Sequence, residues 1–288
     1  MKRPAASCPF GFAATRFVRC ALTAGSAAVT LPRGPTHRSH TRSYPGRRTE
    51  RDMSDVAVVA GVGGGFGETL VRRLASAGYA VACLARSADY LASLETDLRE
   101  AGHDALAVPT DLRSPEEIAA GFREVRERLG PVDVLVYNPS VPAPGHLFEV
   151  DREEFEAVFE VVLRGGFLAA REAIDDMRDN DGGTVIYTGT SMAKRAFGNL
   201  LAWDMAGPAL RGLAQSLVHR FGPEGIHVAY VLVDGAIGGP GESDVARPDD
   251  ELISPEAMAD AYLHLVEQDR RGWTFELDLR ASGDRMRI

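Results

Sequence analysis

Lysine is nearly missing from this chain: Lys2 and Lys194 are the only two, against thirty arginines. Cysteine is scarce as well, and Cys8, Cys20 and Cys83 are too widely spaced for a disulfide framework or a zinc cluster. The seven histidines show no metal-ligand spacing, and His37 and His40 fall in a polar, proline-rich stretch. No apolar run approaches the length that crosses a bilayer, which excludes a membrane-spanning helix.

What is present is acid. The 288 residues carry 41 Asp and Glu against 32 Lys and Arg, a formal net charge of −9. The charge is uneven: residues 1–52 hold ten bases and two acids, so the remainder carries a net −17. A body of that sign repels polyanions, so we expect no nucleic-acid partner for it. An acidic, lysine-poor surface implies solubility at high salt; equal stability in dilute buffer and in molar salt counts against that.

Residues 1–52 show no sustained helical or alternating pattern and are rich in Arg, Ser, Thr, Ala and Pro. They are expected to be a disordered extension. An Arg-rich, acid-poor composition also fits a targeting peptide. A secretory signal fits badly because Cys20–Leu31 is only weakly apolar. We favour an upstream start: Met53 opens Met-Ser-Asp directly before a clean strand, leaving residues 53–288 as one domain and the protein cytoplasmic.

From Asp55 onward strands alternate with helices. Strands are expected at Val56–Ala60, Tyr79–Leu84, Ala105–Val108, Val132–Tyr137, Thr184–Thr188, Ile226–Val233 and Trp273–Leu277. The helices between them show a 3.6-residue apolar period. Phe66, Leu70, Val71 and Leu74 share one face. Ser114 caps a helix carrying Ile118, Phe122, Val125 and Leu129. Phe155, Val158, Phe159, Val162, Phe167, Ile174 and Met177 face inward on a long one. Two more run from about Leu200 to Phe221 and from Pro255 to Val266. Repeated βαβ units predict an α/β fold, a doubly wound, Rossmann-like parallel sheet covered on both faces.

The strongest local signal is the turn Gly61-Val-Gly-Gly-Gly65-Phe66-Gly67 between the first strand and the first helix. Glycines there permit a sharp turn and let a diphosphate reach peptide N–H groups at a helix N-terminus. The G-x-G-x-x-G spacing would need glycine where Phe66 stands, whereas G-x-x-x-G-x-G fits Gly61, Gly65 and Gly67.

With that spacing the chain resembles the short-chain dehydrogenase/reductase family from about Val56 to Leu279. Asp111, after the third strand, matches the family residue that holds adenine. Val136-Tyr-Asn138-Pro-Ser140 is similar to the Asn-Asn-Ala-Gly stretch, with the second Asn kept. Gly225-Ile-His-Val228 through Asp234-Gly235 is similar to the segment beside the nicotinamide. The resemblance implies a nicotinamide dinucleotide cofactor held at Gly61, Gly65, Phe66, Gly67, Arg86, Asp111 and Asn138. An acid at the end of the second strand would bond the ribose of NAD. This strand instead runs into Arg86, which suits a 2′-phosphate, so NADP is expected, with NAD as the alternative.

The catalytic positions depart from the family, whose members use Asn, Ser, Tyr and Lys. By the resemblance these fall on Val162, Thr190, Trp203 and Gly207. An indole has no accessible proton-transfer pKa and glycine supplies no charge, so only Thr190 keeps a usable hydroxyl. Gly207-Pro208 is expected to weaken or kink its helix. As substitutes we weigh Asp204, read as a solvated helix acid, Lys194, in a loop within reach of the site, and Tyr187 and Tyr137, read as sheet core; for each an ordinary structural role is the stronger reading.

These readings leave three functions open. One is an oxidoreductase acting on a small carbonyl or alcohol with altered proton delivery. The second is an inactive cofactor-binding sensor or partner subunit. The third is a serine hydrolase using Ser191, Asp234 and His264. Residues 236–252 are expected to form a mobile lid whose acids disfavour anionic substrates. The resemblance implies a homo-oligomer, or a hetero-oligomer with an active subunit; Trp273, Phe275 and Leu277 fit such an interface or the core.

Overall fold

The computed structural model describes residues 54–239 and 248–283. The extension expected at 1–52, and the central part of the expected lid, lie outside the described residues. The elements in chain order are β1 (Val56–Ala60), α1 (Phe66–Ser76), β2 (Ala80–Ala85), α2 (Ala88–Glu100), β3 (Ala105–Pro109) and α3 (Pro115–Arg128). Next come β4 (Val132–Tyr137), α4 (Arg152–Val158), a π-helical segment (Phe159–Gly165), α5 (Gly166–Asp179) and β5 (Gly183–Thr190). The chain continues through α6 (Leu201–Phe221), β6 (Ile226–Val233), β7 (Ala236–Ile237), β8 (Leu252–Ile253), α7 (Pro255–Val266) and β9 (Glu276–Leu279).

Seven strands form one parallel sheet in the order β3-β2-β1-β4-β5-β6-β9, while β7 and β8 make a separate two-stranded ribbon. Every residue of β1 and β6 is buried, as a strand covered on both faces requires. One face packs Ile118, Phe122 and Val125 of α3, Ile174 and Met177 of α5 and Leu210 of α6. The other packs Leu70, Val71 and Leu74 of α1, Leu91, Leu94 and Leu98 of α2 and Met258 and Leu263 of α7. Each large side chain so buried contributes about 1.5–3 kcal/mol. The helix starts reflect local chemistry: Ser114 accepts the Glu117 amide at 3.1 Å and Ser254 accepts the Ala257 amide at 3.2 Å.

Two expectations need correction. The long helix is interrupted by the π-helical segment, whose wider turn changes the phase of α5 and leaves Phe167 49% exposed. The last strand begins at Glu276, and Trp273 instead stacks on the His227 ring at 5.0 Å between centroids. Pro208 lies inside α6, which spans Leu201–Phe221.

Candidate functional site

The strand order reverses between β1 and β4, and a crevice at the carboxyl ends of such strands is where doubly wound sheets bind ligands. A cleft of about 1060 Å³ opens there. Its floor is the Gly61–Gly67 turn; its walls come from the ends of β2 to β6 and from α4 and α6.

The turn is shaped by backbone contact. Gly61 has φ +93°, and a Cβ there would lie 2.5 Å from the Pro139 nitrogen. A Cβ on Gly67 would lie 2.9 Å from the Gly61 carbonyl. Asn138 locks the same point, donating its backbone amide to Ala60 and its side-chain amide to the Gly61 carbonyl at 2.8 and 3.2 Å. Gly63 and Gly64 differ: a Cβ on either meets nothing within 4 Å. Both line the cleft as bare main chain, and Gly65 opens α1 with no side-chain cap. This cradle, with its helix N-terminus, fits a diphosphate.

The neighbouring wall carries positive charge. Arg86 comes directly after β2, is exposed, and has no ion-pair partner among the described residues. Asp111 lines the cleft but is gripped by Arg113, with contacts of 2.6–3.1 Å. Hydrogen bonds from that guanidinium hold the Asp111 carboxyl below the usual carboxylate range despite partial burial. Sequence reasoning found Asp111 and missed Arg113; the two-residue Asp-x-Arg spacing was the available signal.

At the other end Thr190 lines the cleft, its hydroxyl accepting the Met192 amide at 3.3 Å. Trp203 stands in the wall, with its indole N–H donating to the Val141 carbonyl at 2.8 Å. Gly207 faces away from open space: a Cβ there would lie 3.1 Å from the Ala193 nitrogen. Val162 is buried in the core, and Val161 stands in the cleft wall instead.

The substitutes resolve one by one. Tyr137 and Tyr187 are buried side by side in register on β4 and β5. Their hydroxyls donate to the carbonyls of Val161 and Gly166, at the π-helical segment and just after it. Burial pushes both phenols well up, so neither is a ready proton donor. Lys194, weighed as a substitute, pairs with Glu276 on β9 beside Arg211 and does not line the cleft. Asp204, expected to be solvated, accepts the amides of Phe197 and Gly198 at 3.0 and 2.8 Å and so ties down the loop before α6.

The hydrolase constellation is not assembled. Ser191 is buried, the Asp234 carboxylate is taken by Arg195 and Arg280 at 2.9 and 2.5 Å, and His264 is exposed on α7. No hydrogen bond joins these three among the described residues. Glu153 and Glu154, which no motif marks, also line the cleft. Among the described residues no group of acids, histidines and cysteines is arranged to hold a metal ion, and no helix is long and apolar enough to cross a membrane.

Comparison with known proteins agrees with this geometry. A family model described as short chain dehydrogenase matches residues 55–238. A short chain dehydrogenase of Passalora fulva is 35% identical over 151 residues, 52% of this chain and 54% of that protein. The chain thus spans about half the length of the first curated relatives it matches. A cis-4-hydroxycyclohexanecarboxylate dehydrogenase of Sinomonas cyclohexanicum is 30% identical over 73% of this chain and 88% of its own. Among solved structures, an alcohol dehydrogenase from the archaeon Thermococcus sibiricus, complexed with 5-hydroxy-NADP, superposes with a TM-score of 0.75 at 26% identity. That match covers 82% of this chain and all of the archaeal one.

Proposed function

The chain belongs to the short-chain dehydrogenase/reductase family, and from that membership we propose an NADP(H)-dependent oxidoreductase acting on a small molecule held beside Thr190 and Trp203. The observation that carries this is one cleft with a bare-backbone phosphate cradle at one end and the Thr190 hydroxyl and Trp203 indole in its wall at the other. When bound, the dinucleotide supplies or accepts the hydride.

The chain's own residues do the rest. The Gly63–Gly67 main chain holds the diphosphate, and Asn138 keeps the turn in place through the Gly61 carbonyl. Arg86 binds the 2′-phosphate with its free guanidinium and makes NADP the preferred form, as the ligand of the archaeal neighbour also suggests. Thr190 orients the reacting atom of the substrate. By family spacing Trp203, Gly207 and Val162 occupy the positions of Tyr, Lys and Asn, so a proton that the reaction requires comes from solvent rather than from a phenol. The same reading makes the protein a cytoplasmic oligomer.

A second reading is favoured by one contact. The backbone of Ala193 packs against Gly207, at the position of the family lysine, as expected of a subunit that binds cofactor without turnover. The test is to titrate NADPH into the purified chain and then monitor its oxidation over a panel of carbonyl compounds. Turnover that falls in Thr190→Ala supports the enzyme. Binding without turnover and with a co-purifying partner transfers support to the second reading, and failure to bind either nucleotide overturns both.

A further inference from the structure

The proton inventory of the cleft selects among hydride acceptors. Among the described residues its wall carries the hydroxyl residues Thr110, Ser140, Thr188 and Thr190, the indole of Trp203, three carboxylates and two guanidinium groups. No Tyr, Lys, His or Cys among the described residues lines it. Hydroxyls and indoles are very weak acids, arginine keeps its proton, and ionised carboxylates only accept. Tyr137 and Tyr187 are committed beneath the wall to the Val161 and Gly166 carbonyls. Tyr230 is fully buried, its hydroxyl against Gly189, and the buried Tyr262 hydroxyl, 2.7 Å from the Thr188 hydroxyl, has its pKa pushed up by burial. A ketone that receives a hydride becomes an alkoxide and needs a proton at once. This wall is poorly equipped to give one.

An acceptor that is already a cation needs none. The fixed charges of the cleft fit such a molecule. At the phosphate end stands Arg86, with Asp111 and Arg113 neutralising each other. The other charged groups of the wall are Glu153 and Glu154, in the first turn of α4. Asp151 accepts their backbone amides at 2.7 and 3.3 Å and so fixes this turn. Their carboxylates have no ion-pair partner among the described residues, since the adjacent Arg152 is paired with Glu156 at 2.8 Å. Trp203, pinned through its N–H to Val141, adds an aromatic ring, a surface that attracts cations.

We infer that the substrate is a small preformed iminium ion, or in the reverse direction the corresponding tertiary amine. This rests on the reading of the cleft as a site for NADP(H). In the forward direction the hydride leaves the reduced nicotinamide and forms a C–H bond at the iminium carbon. The C=N π pair returns to nitrogen, the nicotinamide becomes a pyridinium, and no proton enters or leaves. Charge balances: one cation is consumed and one is formed.

The test uses the full chain saturated with NADP⁺ and two probes of nearly the same shape. These are N-methyl-3,4-dihydroisoquinolinium and its neutral carbon analogue 3-methyl-1,2-dihydronaphthalene, titrated by calorimetry. The iminium ion is expected to bind about tenfold more tightly, from two exposed carboxylates and one aromatic ring. The double variant Glu153→Gln, Glu154→Gln should lose that preference. Should it fail to fold, each single variant should lose part of it. With NADPH, turnover of the iminium ion should run at the same rate in H2O and in D2O, because no proton moves in the hydride step and the product amine is protonated only afterwards, by solvent. Equal binding of the two probes, a preference that survives the Gln substitutions, or faster turnover of a ketone overturns the inference while leaving the oxidoreductase intact. Absence of NADPH binding fails the underlying reading instead.

Discussion

Three glycines of one turn should respond differently to the same substitution. At Gly64 a methyl group meets no protein atom within 4 Å, and φ is not in the left-handed region. Gly64→Ala therefore costs the folded state little and restricts the unfolded chain, a gain of about 0.4–1 kcal/mol. For a domain of this size that raises Tm by about 1–4 °C. At Gly61 the methyl lands 2.5 Å from the Pro139 nitrogen on a residue with φ +93°. The left-handed conformation alone costs about 1–2 kcal/mol, and the overlap forces the Asn138–Pro139 backbone to move. Gly61→Ala should lower Tm by about 4 °C or more. Gly67→Ala, with its 2.9 Å approach to the Gly61 carbonyl, should fall between. NADPH affinity should run the other way at Gly64, because its methyl covers main chain meant for the diphosphate. Losing one charge-assisted hydrogen bond of about 1.5–3 kcal/mol weakens binding by about tenfold or more. Differential scanning fluorimetry and a fluorescence titration of NADPH on the same samples give both quantities. A Gly64→Ala variant that melts normally and binds NADPH as tightly as the parent refutes the cradle.

Arg86→Asp should weaken NADPH binding by about tenfold or more and narrow the gap to NADH, read as the ratio of the two dissociation constants. Asp204→Ala removes the acceptor of two loop amides and should cost about 1–2 kcal/mol, measured as a shift in urea midpoint. His227 is buried between the carbonyls of Leu265 and Thr274, and burial lowers its pKa despite both contacts. The folded state thus binds its proton less readily than the unfolded chain. Its contribution is full above the unfolded value near 6.5 and is lost as pH falls from there through the folded pKa. The urea midpoint should drop between about pH 7.5 and 5.5, and His227→Phe should flatten that slope.

Much of the fold was legible because strands buried on both faces read as short apolar runs. β4, β6 and α7 begin and end where the pattern places them, and β1 does so because glycine comes at once after it. The glycine turn, Asp111, Asn138, Arg86 and Thr190 were legible because each sits at the end of a strand, where chain order fixes position in space. The misreadings share a cause: each depends on a contact that the apolar periodicity does not encode. Phe167 turned outward because a π-helical turn, supported by Tyr137 from another element, shifted the helical phase. Lys194 is the contrary case: a structural role was the stronger reading, and its partner Glu276 lies 82 positions later. Asp204 looked solvated until the preceding loop folded its amides back onto it. Glu153 and Glu154 read as ordinary first-turn acids, and only the fold brings them to the same cavity as Gly61.

The central claim is that bare main chain between β1 and α1 receives a dinucleotide diphosphate. Calorimetric titration of the full chain with NADPH, and in parallel with NADH, measures it most directly. Saturable heat at one site per chain, with NADPH the tighter ligand, is the predicted result. A chain that is folded by circular dichroism yet gives no heat with either nucleotide contradicts the account.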